Sequence, residues 1–152
     1  MTTLFLALHV LAAIVAVGPV TVAASMFPPA LRRAHAAPDD PDPRAVLRTL
    51  HRICRVYAVL GLAVPVFGFA TASSLGVLGS AWLIASVVLT AAAAAVLALA
   101  ILPAQQGALA AVGGPGGGAA DRRLAMLAGV FNVLWATVTV LMIVRPGSTT
   151  GA

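Results

Sequence analysis

From Met1 to Leu31 the chain carries no Arg, Lys, Asp or Glu, and from Val56 to Ala120 it carries none again. A helix or strand of a soluble domain needs a polar face toward water, and uncharged runs of this length leave little to make one. About 20 apolar residues are enough to cross ~30 Å of hydrocarbon at 1.5 Å rise per residue. The first run therefore holds one span and the second holds most of two. A fourth apolar run, Leu124 to Val144, ends at Arg145-Pro146-Gly147. Composition agrees: 61% of residues are hydrophobic and 9% charged, against about 25% charged in soluble domains. A chain of 152 residues has too little interior to hide that much apolar surface from water.

The predicted fold is all-α: an antiparallel, up-down four-helix transmembrane bundle forming a single domain over residues 1–152, with spans at about 3–26, 46–72, 81–102 and 124–144. A cleaved signal peptide ending near Ala23-Ala24-Ser25 competes for the first run. The absence of a basic segment ahead of it and its excess length count against that. Between Pro28 and Pro43 lie five prolines and three Asp, a density that predicts an irregular loop over 28–43. Pro103 is expected to end the third span, and the glycine-rich run Gly113 to Gly118 reads as a flexible linker within a second long loop, 103–122.

Arginine sets the expected orientation. Arg32, Arg33, Arg44, Arg48, Arg52, Arg55, Arg122 and Arg123 fall in or beside those two loops, and only Arg145 lies near the other side. Basic residues are retained in the cytoplasm, so the two loops are predicted cytoplasmic and both termini outside, in the cell membrane. The net charge is +5, with no Lys and no Glu. Charge placed beside apolar runs suits anionic lipid headgroups; a nucleic-acid domain would present a basic patch on a water-soluble body, so no nucleic-acid partner is expected.

Asp42 is the expected N-cap of the second helix, with Pro43 at its first position. Arg44, Arg48, His51, Arg52 and Arg55 then share one stripe within roughly 100°, and Arg44, Arg48, Arg52 and Arg55 are the predicted lipid-headgroup residues. They stop at the interface, which argues against a voltage sensor.

Helices in lipid associate through small residues. The predicted inner faces are His9, Ala12, Ala13, Ala16, Val20 and Ala23 on the first span, and Cys54, Ala58, Gly61, Pro65, Gly68 and Ala72 on the second. On the fourth they are Ala125, Gly129, Asn132, Ala136 and Thr139, with Leu127, Phe131, Leu134, Val138 and Leu141 toward lipid. Pro65 is expected to kink the second helix. The Ala-rich third span has no evident inner face.

His9 and Asn132 are the polar side chains expected inside the bundle. An intramembrane ionisable residue is a functional candidate; interhelical hydrogen bonding is the structural alternative. His9 is also the one residue placed to bind a cofactor, as a haem ligand. His51 is expected about 20 Å away across a ~30 Å core, too far to share one iron within a subunit. No metal site is predicted. The lone Cys54 makes no disulfide, CxxC pair or thiolate zinc cage, and no nucleophile–base–orienter set is present, so no catalytic residue is assigned. Small multidrug exporters have a similar size but depend on an intramembrane Glu, which this chain lacks.

Leu8-His9-Val10-Leu11, Gly18-Pro19, Leu31-Arg32-Arg33, Leu50-His51-Arg52 and Val144-Arg145-Pro146-Gly147 together resemble a family of uncharacterised bacterial four-span integral membrane proteins, a domain of unknown function. That resemblance implies fold and location and no activity. The first helix alone, a His with a Gly nine residues on, is similar to copper-resistance membrane proteins and to a haem-binding membrane protoporphyrinogen oxidase. Their further ligands have no counterpart here.

The function expected from the residues is that of a non-enzymatic, small multi-pass membrane protein acting through helix–helix or lipid contacts, with membrane lipids and either a second copy or another membrane protein as partners. One alternative is a haem- or porphyrin-handling protein using His9; another is a small-solute carrier using Asn132 and the Pro65 kink. The leading reading calls for no cofactor.

Overall fold

The computed structural model describes residues 1–114 and 117–147. Helix α1 spans Thr2–Ala36, α2 Pro41–Leu60, α3 Ala63–Leu75, α4 Ala81–Ala95, α5 Leu102–Ala110 and α6 Gly117–Val144, with a π-helical segment Val96–Ile101 joining α4 to α5. These elements make four rods, each long and apolar enough to cross a membrane: Thr2–Ala36, Pro41–Leu75, Ala81–Ala110 and Gly118–Val144. The rods form an antiparallel bundle. The first packs on α2, α3 and α6; α6 packs also on α4, and α5 closes against α2.

The outer surface is apolar. Ile14, Val59, Val66, Leu99, Val133 and Ile143 are all well exposed, a belt that water would not tolerate and lipid tails would cover. The eight arginines of the two predicted loops are exposed and belong to one end of the bundle, on the last turns of α1, along α2 and on the first turns of α6.

Proline does not punctuate this chain as expected. Helix α1 runs through Pro28 and Pro29 to Ala36, where an irregular loop over 28–43 was predicted. Each internal proline removes one backbone bond, at a cost of about 3 kcal/mol. Packing offsets it: Phe27, Leu31 and Ala34 are wholly buried against Leu47, Leu50, Cys54 and Leu124. The connection shrinks to residues 37–40, and the cap of α2 moves two residues upstream. Asp40, not Asp42, accepts from the backbone N–H of Asp42 at 3.0 Å, with Pro41 in the first turn.

The second rod breaks between α2 and α3 at residues 61–62. Pro65 has no N–H to give to the Gly61 carbonyl, and that carbonyl accepts from Val64 instead, at 3.1 Å. The third rod does not stop at Pro103. A π turn widens the helix just ahead of it, easing the clash between the proline ring and the preceding turn, and α5 continues to Ala110. The predicted loop 103–122 is thus a short connection after Ala110; of the glycine run read as a linker, Pro115 and Gly116 lie outside the described residues.

The inner faces of the first two rods follow the prediction except at Pro65, which is exposed beside the break in the second rod: Ala16, Val20 and Ala23 are buried on α1, Cys54 on α2 and Ala72 on α3. On α6 the prediction was inverted. Leu124, Ala128, Phe131 and Val138 are buried, whereas Ala125, Gly129, Ala136 and Thr139 are exposed. The reason is complementarity. Helix α1 offers its small residues to α6, so α6 fills the space with large ones, as alternation across a close-packed interface requires. The Ala-rich third rod finds its orientation through Trp82, Leu83, Ser86, Ala93, Leu97, Ile101 and Gln105, all buried.

Candidate functional site

His9 lies against α3. Its Nδ1 stands 2.9 Å from the carbonyl of Val64, and because a carbonyl only accepts, Nδ1 carries the proton and donates. In the neutral ring the lone pair is then on Nε2. Gly68 makes this possible, since a Cβ there would stand 2.9 Å from His9 Cε1 and 3.0 Å from Nδ1. The absence of a side chain at 68 is the slot in which the imidazole lies.

Asn132 is half-buried and reaches α1, its Nδ2 donating to Ser25 Oγ at 3.2 Å. Its Oδ1 is buried without a partner, and so is Nε1 of Trp135 one turn on. Trp135 packs edge-on to Phe131, with ring centroids 6.3 Å apart. His9 and Asn132 do not meet: the first ties α1 to α3 and the second ties α1 to α6.

At the arginine-bearing end, Arg48, Arg52 and Arg55 of α2 point away from the bundle. Arg44 is exposed too, but has a partner within the chain. Its Nη2 donates to the carbonyl of Val112 at 3.0 Å, clasping the end of the third rod to the start of the second. His51 turns inward and donates from Nδ1 to Gln105 Oε1 at 3.0 Å, and Gln105 Nε2 reaches Cys54 Sγ at 3.6 Å. His51 precedes Val64 by 13 positions, or about 20 Å of helix, so it cannot join His9 on one ligand.

Sequence reasoning missed two polar residues. Gln105 is wholly buried, and the sequence hides it because Pro103 reads as the end of its helix. Asp121 is also buried, with Oδ2 3.6 Å from Arg32 Nη1 and Oδ1 unpartnered. Its signal was present: the lone carboxylate outside the 39–42 stretch, three residues ahead of an apolar run. At the opposite end Arg145 lies over the Trp82 ring, 5.7 Å from its centroid, and its Nε donates to the Met142 carbonyl. Among the described residues, no three His, Cys, Asp or Glu gather as a metal ion would need.

No family model, curated protein or solved structure matches the chain. The family likeness carried by the sequence motifs thus gains nothing from comparison. What stands is an all-helical bundle of four apolar helices, compatible with a multi-pass membrane protein.

Proposed function

We propose that this is a non-enzymatic multi-pass protein of the cell membrane that works through contacts between helices in the bilayer. The observation that carries this reading is the outer face of α6. Ala125, Gly129 and Ala136 form a small-residue ridge that the bundle leaves exposed, and a Cβ at Gly129 would meet nothing within 4 Å. Lipid tails gain nothing special from such a ridge. A second helix does, because Ala125 and Gly129, four apart, and Ala136, two turns further on, let two backbones approach closely. The partner is a second copy or another membrane protein. Single-molecule photobleaching of labelled protein in lipid bilayers tests the first case, and co-purification from native membranes tests the second. Gly129→Leu should lower association by either measure while the bundle stays folded, since the leucine points away from the core. Association unchanged by Gly129→Leu, or a wild-type chain that stays solitary in both assays, would refute the reading.

His9 supports a second reading, that of a haem- or porphyrin-handling protein. A histidine whose Nδ1–H is fixed by a backbone carbonyl, with Nε2 left as the basic atom, has the arrangement of a metal-ligating imidazole. His9 lines neither the groove beside Gly107 nor the one beside Phe69, so a porphyrin on its ring would sit at the rim of α1 and α3 or between copies. When bound, haem would supply redox or ligand-binding chemistry; the chain's own part would be to hold the imidazole in its slot. Added haemin should give a Soret band that His9→Ala removes and His51→Ala leaves. A protein that takes up no haemin removes this reading.

A further inference from the structure

Three departures from a plain α-helix lie on the wall of one groove. Leu99 and Ala100 come from the π-helical segment, Pro103 follows, and Gly107 lies one turn further along; Ala120 and Arg123 of α6 stand opposite. Together they bound a space of about 380 Å³. A wide turn, a proline and a glycine each weaken a helix, so a helix that keeps all three on one side is shaped for something other than its own stability. Gly107 is the clearest case. A Cβ there would meet nothing within 4 Å, so packing within the chain does not call for glycine. What glycine preserves is the width of the groove.

The groove has a charged end and an apolar end. Arg123 is exposed at the arginine-bearing end of the bundle, and the nearby carboxylate, Asp121, faces Arg32. From Gly107 to Leu99 the groove follows the helix for roughly 12 Å, reaching the apolar belt, where Leu99 is 77% exposed. A cation at the interface above a narrow apolar furrow complements a phosphate above an acyl chain. We propose that this groove binds one anionic phospholipid, its phosphate on Arg123 and its chain laid along Gly107, Ala104 and Ala100. The site is separate from the exposed arginine stripe of α2. It rests on the membrane reading of the chain and not on association through the α6 ridge.

Native mass spectrometry from detergent, with equimolar palmitoyl-oleoyl phosphatidylglycerol and phosphatidylcholine, tests it. Wild type should retain one phosphatidylglycerol, favoured about five-fold over phosphatidylcholine, the effect of one arginine near an anionic headgroup. Gly107→Phe should fill the groove and abolish retention. Arg123→Gln, a change on an exposed surface, should keep a bound lipid and lose the headgroup preference. Arg48→Gln on α2 should alter neither. Equal retention of both lipids by wild type overturns the proposal. So does a Gly107→Phe protein, monodisperse on gel filtration, that holds phosphatidylglycerol as wild type does. A headgroup preference that survives Arg123→Gln also overturns it, and its loss in Arg48→Gln would move the phosphate to the α2 stripe. Should Gly107→Phe fail to fold, Arg123→Gln alone decides the headgroup assignment. A chain that stays monodisperse in water without detergent would overturn the membrane reading itself; lost lipid selectivity in a chain that still needs detergent overturns the groove alone.

Discussion

The imidazole of His9 is held by two residues of another helix. The Val64 carbonyl takes its Nδ1 proton, and Gly68 gives it room. Glycine in a helix interior costs about 1 kcal/mol relative to alanine, so in open space Gly68→Ala would stabilise α3. Here the added methyl would press on a ring already fixed by its hydrogen bond. Gly68→Ala should destabilise the bundle by about 1–3 kcal/mol, the usual cost of overpacking. In a His9→Ala background the same substitution should be neutral or stabilising, because the ring it strikes is gone. Thermal unfolding in detergent of the four variants of this cycle measures the coupling, and additive effects would show that the ring and the glycine are not in contact. His9 was legible in the sequence as an inward polar residue on the small face of α1. Its partner was not, since a backbone carbonyl carries no sequence signal.

Among the helices, the contrast between α1 and α6 explains where prediction from periodicity ends. Both carry a small face and a large face. On α1 the small face is buried: Ala16, Val20, Ala23 and Ala24 are almost wholly covered. On α6 the large face is buried, with Leu124, Phe131 and Val138 turned inward. Hydropathy cannot separate the two faces of α6, because in lipid either can be covered. The choice depends on what the neighbour presents, and α1 had already committed its small residues. The prolines show the same dependence. Pro28, Pro29 and Pro103 sit within or at the first turn of helices that continue past them, whereas Pro65 follows a true interruption. Around Pro28 the buried Phe27 and Leu31 hold the rod together, and before Pro103 the π turn absorbs the distortion. Gln105 is hidden for the same reason, since Pro103 reads as the end of the helix that buries it.

The charge of the whole molecule is sorted by end. Eight arginines lie at one end of the bundle and Arg145 at the other, where Trp82 and the Met142 carbonyl engage it. Retention of basic residues in the cytoplasm then predicts the connections at 37–40 and 111–114 inside, and both termini outside. Reporter fusions check this. An enzyme active only in the cytoplasm should work when inserted after Ala37 or Gly113 and fail when fused after Gly147. A fusion after Gly147 that reports cytoplasm would mean either an odd number of crossings or the reverse orientation. The arginine-bearing end is also held by polar contacts between rods. There Arg44 clasps Val112 and Gln105 bridges His51 and Cys54, joining the second rod to the third, and Arg32 pairs with Asp121, joining the first to the fourth.

Two charge-free runs and the placement of nine arginines were enough to derive four helices, their alternation and the end that carries the charge. These follow from each segment's own transfer energy between water and lipid, a property local to the sequence. Helix ends at proline, the face that α6 buries, the pairing of His51 with Gln105 and the groove along α5 were decided by tertiary structure. Each is a difference between two local states of nearly equal cost. Only the shape of a neighbouring helix, brought close by folding, makes one of them cheaper than the other.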